Sequence, residues 1–421
     1  MSPSARRAQG ALEVLGNPST GAGGLMNLGT AQAARARERL RDRSLAERFG
    51  ALEWSFPDSA PDAVNDVHPY PAKFISAIPA QALSLVDVPG AIIDPFCGSG
   101  TTLVEAVRSG RNAVGIDLNP IAALVTRAKL SGWSSDDTEV LQIHRDRLSR
   151  AARKGDVTLA AEATATIPRL DHWFDAVARH ALAGATAYLR TIGRSDPWRD
   201  RVGAAISSVV VRVSRQESDT RYAAIEKKQD IGTIATALAR ALDRVAYSAS
   251  QLAAQVPKGV QAEVLTGDAA TILRTRDSAS AAAAIFSPPY PNAYEYWLYH
   301  KYRMYWLGFD PVEVRSQEIG ARPFYSGSGR LTEDDFARQL GSVVDELARV
   351  IVAGGMCLIV VGDSIIRGRF VNNASVVRDV AGQSGLEHVG STHREIRRTR
   401  RSFNLAVARA AREHVLLFTK P

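Results

Sequence analysis

Short apolar runs alternate with helical patterns along most of this chain, and that alternation limits the fold more than any other feature does. It predicts a mainly parallel sheet covered by helices on both faces. Ala91 to Asp94 reads as a first buried strand, Asn112 to Ile116 as a second and Ala262 to Leu265 as a third. Ala282 to Phe286 reads as a fourth and Met356 to Val361 as a fifth. Two further apolar stretches, His388 to Thr392 and His414 to Thr419, complete an α/β, seven-stranded, Rossmann-like sheet. Between the second and third strands roughly 130 residues read almost wholly as amphipathic helix, too many for an ordinary crossover. The expected organisation is a disordered tail and charged helix over 1–50, a first part of the core over 51–130, a helical insertion over 131–260 and a second part of the core over 261–421.

The first strand runs into Asp94-Pro95-Phe96-Cys97-Gly98-Ser99-Gly100-Thr101-Thr102 and then a helical pattern. Glycines here let the backbone turn tightly and approach a ligand at a helix N-terminus. Leu103 stands where a dinucleotide fingerprint needs its third glycine, and no Gly-Lys-Ser/Thr follows, so nicotinamide, flavin and P-loop sites are disfavoured. The second strand ends at Asp117, placed to accept hydrogen bonds from two ribose hydroxyls, and the third at Asp268, placed to receive an adenine amino group. Each acid alone could be a helix N-cap. Three acids at the carboxyl ends of successive strands instead converge on one crevice.

The fourth strand ends in Ser287-Pro288-Pro289-Tyr290. Two prolines cannot continue a sheet ladder, so the backbone leaves the strand rigidly with its carbonyls free to face the crevice. That arrangement suits a planar amine, whose lone pair is delocalised until both its protons find acceptors. The Ser287 hydroxyl and Pro288 carbonyl supply two acceptors, and Tyr290 can stack on a base.

These motifs resemble those of the S-adenosylmethionine (SAM)-dependent DNA methyltransferases that modify exocyclic amino groups, N4 of cytosine or N6 of adenine. The glycine turn is similar to the family's SAM-binding motif, and Ser287-Pro288-Pro289-Tyr290 to its catalytic motif. Upstream, His68-Pro69-Tyr70-Pro71-Ala72-Lys73-Phe74 resembles the segment that closes over the methionine end of the cofactor. The resemblance implies SAM as cofactor, held by Lys73, Phe74, Asp94, Phe96, Gly98, Gly100, Thr101, Thr102, Asp117 and Asp268. It implies Ser287, Pro288, Pro289 and Tyr290 at the reacting amine, with serine in first place leaning towards cytosine N4. Carbon-5 methylation is disfavoured, because it needs a cysteine nucleophile normally preceded by proline, and Cys97 and Cys357 follow Phe96 and Met356.

Lys and Arg outnumber Asp and Glu by 52 to 44, a net charge of +8 that favours a polyanionic partner. Nucleic-acid contacts are expected from Arg215 and Arg221 in the insertion and from Arg397, Arg398, Arg400 and Arg401 between the last two strands. The aromatic segment from Tyr294 to Trp306 should place one or two rings at the substrate, and His300, Lys301 and Arg303 read equally as phosphate contacts or a solvated helix face. Asp268 and Ser287 are only 19 residues apart, leaving no room there for a recognition module. Recognition is therefore expected in the insertion or between Pro291 and Arg330. No metal site, disulfide, membrane span or secretory signal is expected, and the cytoplasm is the expected location. DNA is the expected partner and substrate, with RNA amine methylation, adenine N6 methylation and a catalytically inactive nucleic-acid-binding protein as alternatives.

Overall fold

The structure of the protein, a computed structural model, describes residues 43–56, 62–219, 221, 223–291, 295–325, 331–395 and 412–421. The chain divides into two units, 1–51 and 52–421. In the described part of the first, Ser44 caps the helix Leu45–Gly50 through a reciprocal capping box with Glu47. The expectation of disorder over residues 1–30 lies outside the described residues.

The second unit contains β1 (Ala91–Asp94), β2 (Ala113–Asp117), β3 (Ala262–Thr266), β4 (Ala281–Phe286), β5 (Ile351–Gly362), β6 (Ser364–Ile366), β7 (Arg369–Val371), β8 (Glu387–Glu395) and β9 (Arg412–Thr419). Seven of these form one sheet in the order β3-β2-β1-β4-β5-β9-β8. β1 to β5 run parallel, and β9 lies antiparallel between β5 and β8. All seven expected strands are present, with ends shifted by at most three residues except in β5. That strand starts at Ile351 because Ala281 pairs with Ile351 and Ala283 with Met356, so the ladder bulges between them around Gly354, whose φ is +73°. The β6–β7 hairpin has no counterpart in the sequence reading.

β4 shows why pattern and burial override propensity. Its four alanines favour helix, yet every residue from Ala281 to Phe286 is buried. At the centre of a sheet covered on both sides, small side chains let both helical layers approach closely. One layer, the helices Ala269–Arg274, Glu333–Val350 and Asn373–Gln383, packs with Ile93, Ile116, Phe286 and Ile359. In the other cluster the helix Pro120–Leu130 contributes Ile121, Val125 and Ala128 to a core made mostly by the insertion, whose helices span Asp137–Lys154, Val157–Thr166, Leu170–Trp173, Ala176–Thr191, Pro197–Val213 and Ile231–Ala253. Tyr302 and Trp306 of the helix Tyr296–Leu307 enter the same core, edge-on to Phe174 with centroids 5.5 and 5.7 Å away.

Strand order reverses between β1 and β4, since β2 lies on one side of β1 and β4 on the other. A crevice opens at the carboxyl ends of the strands at such a switch point. The site occupies it.

Candidate active site

The turn after β1 is built by two residues in the left-handed region, Gly98 at φ +51° and Gly100 at φ +83°. Gly100 also caps the helix Thr101–Arg108, and a Cβ there would stand 2.5 Å from Thr126 Cγ2 and 2.8 Å from its Oγ1. Glycine is thus required twice at one position, for its φ and for its lack of bulk. The Thr126 hydroxyl donates to the Gly98 carbonyl at 3.0 Å and the buried Lys129 ammonium to the Ser99 carbonyl at 2.6 Å, so the helix Pro120–Leu130 holds the turn from behind.

Asp117 ties the turn to that helix from the front. The Gly98 N–H donates to Asp117 Oδ2 and the Asn119 N–H to Oδ1, both at 2.8 Å. Burial pushes the Asp117 carboxyl up to about 6 and the Asp94 carboxyl up to about 7. Asp94 is 3% exposed and accepts from the Phe96 N–H at 3.0 Å. A buried acid and a half-buried one beside it, both this close to ionisation at neutral pH, form a site that gains from a bound cation.

These groups line one cavity of about 240 Å³. Asp94, Phe96, Gly98, Thr101, Thr102 and Asp117 lie on its floor, Lys73 and Phe74 on one wall, and Asp268 at the end of β3. Asp268 also caps the helix Ala269–Arg274, its Oδ1 accepting from the Thr271 N–H at 2.8 Å and hydroxyl at 2.7 Å, so the N-cap and cavity readings of that acid hold together. The Lys73 ammonium turns to Asp66 at 3.0 Å, leaving mainly its stem to the wall. Gly100 sits behind the lining. At the end of β4, Ser287, Pro289 and Tyr290 line the same cavity, and Pro288 is buried beneath them.

The model of the DNA methylase family matches residues 39–126, the stretch that carries the glycine turn and Asp117. Over those residues the chain is similar to the DNA methylase family. It is 39% identical over 88 residues to the Type II methyltransferase M.MjaII of Methanocaldococcus jannaschii, covering 21% of this chain and 16% of that one. To the Type II methyltransferase M.BsoBI of Geobacillus stearothermophilus it is 23% identical over 248 residues, 53% of this chain and 48% of that one. The chain thus matches less than half the length of either relative. Among solved structures, a SAM-dependent methyltransferase of Methanosarcina mazei aligns over 79% of this chain and 93% of its own, with 10% identity and a TM-score of 0.30. The fold rests on the strand order rather than on that alignment.

Several groups at the cavity escaped the sequence reading. Tyr70, inside the quoted upstream segment, stacks on Tyr296 with centroids 6.2 Å apart and leans on His300 at 4.7 Å. Among the described residues of the aromatic segment, Tyr296 is the ring that lines the cavity. Glu318 lines the cavity too, and its two oxygens accept the N–H groups of Tyr296 and Trp297 at 2.9 and 2.8 Å. A carboxylate 22 residues away in sequence therefore caps the aromatic helix, and burial pushes it up to about 8. Arg394 of β8 and Glu413 of β9 complete the lining.

Neither option read for His300 and Arg303 survives. Both are wholly buried, because this face of the aromatic helix meets the insertion rather than solvent. Arg303 donates to the Ser207 and Tyr299 carbonyls at 3.0 Å and pairs with Asp219. Arg215 donates to the Asp171 carbonyl at 3.0 Å and Arg221 pairs with Glu217 at 2.8 Å; neither lines the cavity. Arg397, Arg398, Arg400 and Arg401 lie outside the described residues, but the strand ends that flank them, Glu395 and Arg412, stand at the carboxyl edge beside Gly362 of β5. Among the described residues no cluster of His, Cys, Asp and Glu could hold a metal ion, and no helix is long and apolar enough to cross a membrane.

Proposed function

We propose that the protein methylates an exocyclic amino group of a base in DNA, N4 of cytosine, as a cytoplasmic enzyme of the restriction-modification type. One observation carries this reading: Ser287, Pro289 and Tyr290 of the turn after β4 line the same cavity as Asp94 and Asp117.

The residues present fit SAM. Asp117 offers a carboxylate to the ribose hydroxyls, and Asp268, whose two intramolecular bonds both go to Oδ1, offers Oδ2 to the adenine amine. Asp94, buried, and Asp117, half-buried, suit a ligand that carries an ammonium and a sulfonium. When bound, SAM supplies a methyl group that is already activated by the positive sulfur, so the protein's task is alignment.

The chain's own residues then prepare the acceptor. The base leaves the duplex at a cost of a few kcal/mol, which stacking on Tyr290 partly offsets. Hydrogen bonds from the amine to the Ser287 hydroxyl and the Pro288 carbonyl draw its lone pair out of the ring. Held by Ser287 and Pro288, the amine would present that lone pair to the methyl group that SAM supplies, and its surplus proton would leave to water. The formal charge of +8 assists association with DNA, and Arg215, Arg221, Arg397, Arg398, Arg400 and Arg401 are proposed to contribute to it.

Incubation with labelled SAM and separate DNA, RNA and protein acceptors, followed by mass spectrometry of the nucleosides, tests the reading. N4-methylcytosine in DNA supports it; label confined to RNA or protein overturns it. Tyr290→Ala should lower kcat/KM by roughly ten- to hundredfold, the equivalent of about 1–3 kcal/mol of stacking, with SAM affinity unchanged. Turnover at the original rate would remove Tyr290 from the pocket.

A further inference from the structure

The strand register sets a row of residues beyond the catalytic motif. Gly362 pairs with Glu413 across β5 and β9, and Glu413 pairs with Arg394 across β9 and β8. Directly paired residues project to the same face of a sheet. A Cβ at Gly362 would stand 3.0 Å from Tyr290 Oη and 3.2 Å from Cζ, so the face that carries Glu413 and Arg394 is the face on which the Tyr290 ring lies. Tyr290, Glu413 and Arg394 all line the cavity. Arg394 is 5% exposed, with Nε 3.4 Å from Glu413 Oε2. The ion pair with Glu413 holds the guanidinium at the cavity wall.

We propose that Arg394, steadied by Glu413, reads the edge of the base stacked on Tyr290, its guanidinium donating to N3 and O2 of a flipped cytosine. This rests on the amino-methyltransferase reading and adds to it the means of choosing the base. Beside its amino group cytosine presents two acceptors, N3 and O2, separated by one carbon, the spacing that a planar guanidinium fork matches. Adenine presents N1 and then a C2–H, so one N–H of the fork would face carbon. A side chain with a single donor, or none, cannot make that distinction.

The test uses the full chain with unmethylated genomic DNA, for which no recognition sequence need be known. N4-methylcytosine and N6-methyladenine are counted after digestion, and SAM affinity and melting temperature are measured on the same samples. Arg394→Met should lower N4-methylcytosine formation by roughly ten- to hundredfold, the scale of one bidentate base contact, with SAM Kd within about twofold. Arg394→Lys should recover part of the loss, since it restores one donor. Arg394→Met combined with Glu413→Leu removes both charges, so it guards against a variant that merely fails to fold; it should melt like the original protein and remain impaired.

N4-methylcytosine formed at the original rate by Arg394→Met would overturn the proposal, as would a parallel loss of SAM affinity. N6-methyladenine as the product of the original protein would overturn the base assignment while leaving amino methylation intact. Absence of any methylated base with the original protein would remove the underlying reading and this inference with it.

Discussion

Asp117→Ala should weaken SAM binding by two to three orders of magnitude. The carboxylate would offer two charge-assisted hydrogen bonds to the ribose, each worth about 1.5–3 kcal/mol. The same substitution strands the Gly98 and Asn119 N–H groups that donate to Asp117 at 2.8 Å, so the melting temperature should fall as well. Asp117→Asn separates the two effects. It keeps one acceptor but turns an NH₂ donor towards one of those N–H groups, so the turn remains strained even though the size is unchanged. Calorimetric titration reads the affinity, and an Asp117→Ala protein that binds SAM within threefold of the original would remove Asp117 from the ribose.

The same carboxyl gives that affinity a pH dependence of definite sign. With Asp117 near 6, lowering the pH below that value protonates it, and SAM affinity should fall by about tenfold per pH unit. Above about pH 7 it should level off. Folding linkage runs the other way. The native unliganded protein holds this proton, and that of Asp94 near 7, to higher pH than the unfolded chain does. Between about pH 4 and 7 the native state therefore binds more protons, and the contribution of these two acids to stability declines as pH rises. Affinity and intrinsic stability should move in opposite directions across that window, and Asp117→Asn should flatten part of both trends.

Gly100→Ala should cost about 2–5 kcal/mol of stability, combining a left-handed residue that now bears a Cβ with an overpacked contact. The clash is with Thr126, a stiff β-branched side chain that is itself wholly buried and cannot swing aside. Thr126→Ala relieves the contact but not the backbone strain, and it also removes the hydroxyl's bond to the Gly98 carbonyl, so the double variant is compared with Thr126→Ala alone; against that reference Gly100→Ala should cost roughly half as much melting temperature. No cost against that reference would assign the glycine to space alone, and an undiminished cost to backbone conformation alone.

What was legible in the sequence was local. The glycine turn, the acids at strand ends and the proline pair after β4 each state their backbone geometry within a few residues. Alternation of pattern then orders the strands, and the structure has the sheet they imply. What was illegible depends on juxtaposition. Glu318 caps a helix that starts 22 residues before it, and nothing near it in the chain marks that role. Arg394 lies three residues before the arginines read as nucleic-acid contacts, and only the cross-strand register shows that it faces the cavity. Arg303 looked like one more cation on a helix face because the sequence could not say that the insertion supplies Ser207 and Asp219 against it.

The helix Pro120–Leu130 gives the insertion a significance beyond its bulk. Its outer side carries Ile121, Val125 and Ala128 into the insertion's core, while its inner side carries the Thr126 and Lys129 contacts that hold the glycine turn. The insertion is therefore not a cassette that can be cut out or traded between relatives. Deleting 131–260 would leave that apolar stripe facing water and loosen the scaffold behind the turn, so a minimal catalytic fragment made that way should lose its cofactor before it loses its sheet.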